Sequence, residues 1–256
     1  MDDLREAVLA GDAGALMLAR RSGAASAPAL RELLGHAEAH VRETALLGMM
    51  ELGVAAALEA CQKAALDGHP QVRSAAVRGL SAFLDPSRAS VLLELYDRSP
   101  DAETRRHLAL AYGKMEKAPP APLKERLAKE REDRAIEGMV AAAARLGDKD
   151  AQTEFLKRLQ AATGVEARAR FLEHVEYVGA PWVLKALVPL LDDASPAVRT
   201  GADGRGEVPE YLRVRDAAVN LATSISRRKS PFRVEPGLAY GDPETDDVRR
   251  FLKGLP

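Results

Sequence analysis

The chain has 256 residues, and its 37 Lys and Arg against 38 Asp and Glu give a net charge of −1, which argues against a function dominated by attraction to nucleic acid or acidic lipid. Hydrophobic residues reach 46% with only 4% aromatic residues, a composition that favours closely packed helices over a β-sandwich. The single cysteine, Cys61, excludes a disulfide framework and a cysteine-based zinc site within one chain.

A short sequence motif repeats along the chain from residue 41 onward. The run Val-Arg-Glu-Thr-Ala-Leu at 41–46 returns as Val-Arg-Ser-Ala-Ala-Val at 72–77, and looser copies follow. Up to Arg199, successive copies lie 30 to 33 positions apart, with Ala135 where one copy lacks its arginine, and the last copy, at Arg215, follows after 16. Counted from each arginine, apolar residues fall at −1, +3, +4 and +7, the spacing of one face of an amphipathic helix.

A second set of helical segments is predicted between the repeat helices, at 55–66, 89–96, 123–130, 151–161 and 183–191. Proline and glycine stand where these segments should stop and start, as in Gly68-His69-Pro70. Each unit is therefore predicted to be a helical hairpin of about 31 residues. One hairpin cannot bury its apolar face alone, so neighbouring hairpins must stack.

The run Asp67-Gly68-His69-Pro70-Gln71-Val72-Arg73 resembles the short bacterial HEAT repeat of the kind named for phycobilisome lyase subunits, and 193–199 carries the same signature. The resemblance covers residues 26–226. It implies an all-α, right-handed α-solenoid of about six hairpins. Residues 1–25 are expected to form an N-terminal helical cap, and residues 227–256 a C-terminal extension that packs on the last repeat.

The repeat arginines resemble the inter-repeat ladder of HEAT-like proteins, in which arginine pairs with an acid in a turn. Turn acids precede several of them, as at Asp67 and Asp193. We expect these arginines to stabilise the stack rather than to bind phosphate. They are Arg42, Arg73, Arg105, Arg168, Arg199 and Arg215.

Two segments depart from the repeat. A loop at 200–210 with three glycines interrupts the last unit, and it is either a functional insertion or a tolerated one. The cluster Arg227-Arg228-Lys229-Ser230 is short, and a solvated helix end explains it better than a nucleic-acid contact or a kinase site.

The outward positions of the repeat helices, at +1, +5 and +8, predict a partner-binding face. Several of them are apolar, which is typical of a protein contact surface. The alternative is that the helices turn slightly and bury these side chains. The candidates are Leu47, Met50, Arg78, Leu110, Val140, Glu173, Glu176 and Asn220.

The sequence shows no catalytic motif: it lacks a Gly-x-Ser-x-Gly nucleophile turn, a phosphate loop and a His-Glu-x-x-His pair. We therefore expect a non-enzymatic scaffold or adaptor that binds a protein or peptide, without cofactor or metal. One alternative is a nucleic-acid-binding protein similar to HEAT-like DNA glycosylases. The other is an accessory subunit of a lyase or other modifying enzyme. With no leader pattern and no long apolar run, we expect a cytoplasmic protein with no membrane span. The Ala-, Arg- and Gly-rich residue usage fits a bacterial source.

Overall fold

The computed structural model describes residues 2–12, 14–115, 117–199, 211–235 and 237–255, without the side chains of Val54, Val198, Arg199 and Tyr211. In this part of the chain we find fourteen α-helices, three 3₁₀ segments and a single pair of β-strands. The fold is therefore all-α, as predicted. The chain packs as two compact units, Met1–Leu146 and Gly147–Pro256. This division falls inside the predicted solenoid of residues 26–226.

The first unit contains ten helices arranged as successive hairpins. Helix α3 pairs with α4, α5 with α6, α7 with α8, and α9 with α10, while α2, α4, α6, α8 and α10 stack side by side in that order. The bounds are α1 Asp2–Leu9, α2 Ala15–Ser22, α3 Ala27–Leu33, α4 Ala39–Glu51, α5 Val54–Ala64, α6 Pro70–Phe83, α7 Ser90–Arg98, α8 Ala102–Gly113, α9 Ala121–Leu127 and α10 Asp133–Arg145.

The apolar stripe of each repeat helix forms the core of this unit. In α4, Val41, Ala45 and Leu46 are fully buried and Met49 nearly so. Helix starts follow local chemistry as well: α6 begins at Pro70, whose missing N–H is not needed in a first turn. The predicted periodicity therefore matches the buried face.

The close approach of α10 to α8 depends on a glycine. A Cβ atom at Gly138 in α10 would lie 2.6 Å from the Cγ atom and 2.9 Å from the carbonyl oxygen of Arg106 in α8. Any larger residue would force the two helices apart. The small side chains Ala141 to Ala144 continue this tight packing, and all four are buried.

The second unit contains α11 Lys149–Ala161, α12 Val165–Val178, α13 Val214–Ser226 and α14 Asp242–Lys253. Residues 183–191, predicted as a helix, belong to the 3₁₀ segment Pro181–Asp192, which contains Pro189. Strands β1 Pro196–Arg199 and β2 Tyr211–Arg213 pair antiparallel. The sequence pattern does not predict these strands.

The C-terminal helix packs on the last hairpin of the second unit. Helix α14 contacts both α13 and the 3₁₀ segment, so it covers the end of that hairpin. Aromatic rings tie the other elements together: Phe155 in α11 meets Phe171 in α12 edge-on at 6.3 Å between ring centroids, and meets Trp182 at 5.9 Å.

Arg42 links its own turn to the turn of the next hairpin. Its Nε and Nη2 atoms each donate to one carboxylate oxygen of Asp67 at 2.8 Å. Its Nη1 atom donates to the carbonyl oxygens of His36 and Ala37. This planar fork satisfies two orphan carbonyls and one carboxylate at once.

Arg73 repeats this geometry one hairpin further along. Its Nη1 atom donates to the carbonyl oxygens of Asp67 and Gly68, and its Nε atom donates to the Thr104 hydroxyl at 2.9 Å. Its Nη2 atom lies 2.8 Å from a carboxylate oxygen of Asp101. Only 8% of the Arg73 side chain is exposed, so these bonds replace nearly all of its hydration.

Arg105 pairs with Glu130, an acid that the sequence analysis did not single out. Two guanidinium nitrogens donate to Glu130 at 2.7 and 3.1 Å, and Nη1 donates to the Ser99 carbonyl oxygen. The Tyr96 hydroxyl also donates to Glu130 at 2.5 Å. Glu130 lies 25 residues after Arg105, the separation that also joins Arg42 to Asp67.

In the second unit, Arg168 forms a similar pair and Arg215 a looser one. Arg168 lies 2.7 Å from a carboxylate oxygen of Asp193 and donates to the Ser195 hydroxyl. Arg215 lies 3.5 Å from Asp242, whose side chain is 89% exposed, so this contact is weaker. The side chain of Arg199 and the loop 200–210 lie outside the described residues.

The first prediction concerns Arg73. Arg73→Ala removes a nearly buried guanidinium with its bonds to two turn carbonyls, the Thr104 hydroxyl and Asp101, so we expect a loss of about 3 kcal/mol in unfolding free energy. Each kcal/mol corresponds to about 2–4 °C in Tm for a chain of this size. Thermal melting followed by circular dichroism measures the change.

Arg78→Ala, on the same helix, is the matched control because Arg78 is exposed. It should leave Tm nearly unchanged. An equal Tm loss in both variants would contradict a stabilising role specific to Arg73.

The Glu130 carboxylate is held in its charged form. Burial by itself would raise its pKa, but hydrogen bonds from Arg105 and Tyr96, and from the N–H groups of Arg131 and Glu132, outweigh burial and lower the pKa to about 2. Its ordinary pKa is 4.5. The charged form therefore stabilises the folded state above pH 4.5, and this stabilisation is lost as the pH falls toward 2.

The second prediction follows from this shift. Glu130→Gln should lower the unfolding free energy at pH 7 by about 3 kcal/mol, and the difference from the unmodified chain should shrink between pH 4.5 and pH 2. Urea unfolding at a series of pH values measures it. A difference that stays constant over that range would show that the Glu130 charge does not contribute.

Candidate protein-binding groove

An open groove of about 520 Å³ lies between α12 and α13 in the second unit. On α12 it is lined at positions 169, 172, 173 and 176, and on α13 at positions 217, 220, 221 and 224. Both sets follow i, i+3, i+4, i+7, so each is one face of its helix. The two faces form opposite walls of the same groove.

The floor of the groove is apolar and continuous with the core. Leu172 and Ala217 are buried, while Leu212 and Leu221 are half-buried and pack against the same cluster. Val234, from the segment after α13, also lines the groove. Half-buried leucines at the bottom of an open groove can be covered further by a partner.

The walls of the groove differ in charge. Glu173 and Glu176 on α12 are both exposed, and in the described part of the chain neither forms an ion pair. The α13 wall contributes the uncharged polar side chains Asn220, Thr223 and Ser224. Lys and Arg are absent from the described lining, so the groove has one acidic edge and one neutral edge.

The segment after α13 holds the α13 wall in place. The Tyr240 hydroxyl donates to the Asn220 side-chain oxygen at 2.7 Å, and the backbone N–H of Tyr240 donates to Asp216 at 2.8 Å. Asp216 is buried and also accepts two bonds from the Arg213 guanidinium, at 2.7 and 2.8 Å. Arg213 in turn donates to the Tyr240 carbonyl oxygen. One buried carboxylate therefore joins β2, α13 and the C-terminal segment.

The structure brings together three of the predicted partner-binding residues, Glu173, Glu176 and Asn220, in this groove. The others lie in the first unit. Arg78 is exposed on α6, whereas Leu47 and Leu110 are half-buried. Their role in binding a partner stays a prediction.

Met50, also half-buried, fills space between helices. A Cβ atom added at Gly79 of α6 would lie 3.2 Å from the Met50 sulfur atom, so Met50 sits over that glycine.

The prediction that Val140 is an outward contact residue is wrong. Val140 is only 1% exposed. The small residues of α10 allow close packing, so the outward position of the repeat is covered there. Helical spacing alone does not indicate how closely neighbouring helices approach.

The basic cluster at 227–230 is partly neutralised. Arg228 lies 2.9 Å from Asp247, and its guanidinium carbon lies 4.8 Å from the centre of the Phe251 ring. These contacts attach the end of α13 to α14. They leave Arg227 and Lys229 as the exposed charges of the cluster.

Other chemistry-bearing groups do not assemble into a site in the described ranges. Among those residues, no three or more His, Cys, Asp or Glu side chains cluster closely enough to hold a metal ion. Burial raises the pKa of the Cys61 thiol to about 11, so the thiol stays protonated and unreactive at neutral pH. No helix among the described residues is long and apolar enough to cross a membrane.

Comparison with protein families matches residues 27–113 to HEAT repeats. Residues 27–113, about a third of the chain, are HEAT repeats. The matched HEAT segment includes α3 to α8, the most regular hairpins of the first unit. No curated protein matches the sequence.

The sequence patterns do not predict the floor of the groove. Leu212 lies in an unpredicted strand, and Leu221 falls at a repeat position that was not assigned to either face. One pattern in the sequence could have indicated the groove. Positions 169, 172, 173 and 176 have the same helical spacing as positions 217, 220, 221 and 224, so they form two helix faces of equal length.

The third prediction concerns Asp216. Asp216→Ala leaves the Arg213 guanidinium and the Tyr240 N–H without their buried acceptor, so we expect a loss of about 3 kcal/mol. Hydrogen exchange should show faster exchange at the Tyr240 amide than in the unmodified chain. Unchanged protection there would mean that Asp216 does not hold the C-terminal segment on α13.

Proposed function

We propose that this HEAT-repeat chain is a non-enzymatic interaction module that binds a protein or peptide segment in the α12–α13 groove. The observation that carries the proposal is the open groove whose floor exposes Leu212 and Leu221 between two helix faces. Covering such a floor removes apolar surface from water and supplies the driving force for association.

The repeat class supports the same function. HEAT repeats commonly mediate protein–protein interaction, and they do so with helix surfaces held rigid by stacking. The groove lies outside residues 27–113, and its walls are likewise packed helices, α12 and α13. A rigid surface lowers the ordering cost of binding, because only the partner has to lose conformational freedom.

The charge of the groove argues for a protein rather than a nucleic acid in this position. Glu173 and Glu176 border it, and phosphates would be repelled by two carboxylates. An accessory subunit of a modifying enzyme would also need a surface that binds its partner subunit. The capture experiment below therefore tests that alternative as well.

The fourth prediction compares capture by matched variants. Tagged full-length chain is used to capture proteins from lysate of its own source at moderate salt, with mass spectrometry and absorbance at 260 nm as readouts. Ser224→Trp places a large ring on the exposed rim of the groove, so it should reduce recovery of a stoichiometric partner at least tenfold. Ser90→Trp, at an exposed serine at the start of α7, is the control and should retain the partner.

Two outcomes would change the assignment. Loss of the partner in a folded Leu47→Asp, Leu110→Asp double variant, with retention in Ser224→Trp, would move the binding surface to the first unit. Recovery of nucleic acid that leaves with rising salt, with no protein partner, would overturn the proposed function.

A further inference from the structure

We propose that the groove takes a cationic amphipathic α-helix, with an apolar stripe toward the floor and Lys or Arg along the edge that faces α12. This inference rests on the proposed function, since it specifies the occupant of the same groove.

The length and shape of the groove fit a helix. Residues 169–176 and 217–224 each extend over two turns, which corresponds to about 10 Å of wall. Two neighbouring helices present side-chain ridges with a trough between them, and a third helix packs its own ridge into such a trough. The occupant would use anchors at i, i+3, i+4 and i+7.

The walls favour a helix over an extended strand. Both are built from helices, whose backbone N–H and C=O groups are already bonded within the helix. A peptide that adds as a strand needs a free row of such groups on its host. The backbone hydrogen bonds of a helix are formed within the helix, so a helical partner needs only side-chain contacts with the groove.

Charge complementarity selects the sign of the occupant. Glu173 and Glu176 lie at i and i+3 on α12, exposed and without an ion-pair partner in the described ranges. The opposite wall offers Asn220, Thr223 and Ser224, which carry no charge. A helix with Lys or Arg on one edge only therefore binds in one orientation, whereas an acidic helix is repelled.

The test uses three synthetic, fluorescein-labelled helix-forming peptides of about 15 residues. The first has Leu at i, i+3, i+4 and i+7 with Lys on one flank. The second has Glu in place of Lys, and the third keeps Lys but has Ser in place of Leu. Fluorescence anisotropy with the full chain at low salt measures Kd for each.

We expect the Lys peptide to bind about fivefold more tightly than the Glu peptide, the effect of two exposed ion pairs. Glu173→Gln with Glu176→Gln should abolish this preference. Glu51→Gln with Glu94→Gln removes two exposed charges from the first unit and should preserve it. The preference should also weaken as salt is raised.

The possible failures are distinguishable. Equal binding of the Lys and Glu peptides, with loss for the Ser peptide, would overturn the charge inference and leave an apolar binding groove. Equal binding of all three peptides that is insensitive to Ser224→Trp would overturn the groove itself. Light scattering tests whether the chain forms a dimer. If it does, and if Ser224→Trp converts the dimer to a monomer, the groove binds a second copy of this chain and the proposal is overturned.

Discussion

Each helical hairpin in this chain has an apolar face that it cannot bury by itself, and the rest of the structure follows from that constraint. The faces can be removed from water only by stacking hairpin on hairpin, as α4, α6 and α8 do. Stacking brings the turn of one hairpin next to the turn of the following one. Because those turns carry unpaired carbonyl groups and acids, a single residue that bonds to both can fix their spacing.

Arginine meets that requirement because its planar fork has donors on two sides. Arg42 and Arg73 each use one nitrogen on the carbonyls of their own turn and the others on the next hairpin. Lysine, with a point charge, could not make both sets of bonds at once. The repeat with Ala135 has no arginine at this position. In that repeat, α10 instead packs closely against α8 at Gly138.

The candidate groove has a different origin. It lies where α12 and α13 are neighbours and the segment after α13 covers part of the surface but leaves Leu212 and Leu221 half-buried. Asp216 and Tyr240 hold that segment in place, so the groove has a fixed wall. A fixed apolar floor with one acidic edge is suited to the proposed recognition of a partner by shape and charge together.

The sequence by itself determined the fold class, because apolar residues at +3, +4 and +7 can be buried only on one face of a helix. It also placed Glu173, Glu176 and Asn220 on outward positions, which the structure brings into one groove. Helical spacing could not reveal that Val140 is covered, because burial depends on how closely α10 packs. Nor could it pair Arg105 with Glu130 or place Leu212 on the floor, since these contacts join residues distant in the chain. Only the tertiary structure decides such contacts, because they depend on the relative positions of packed elements.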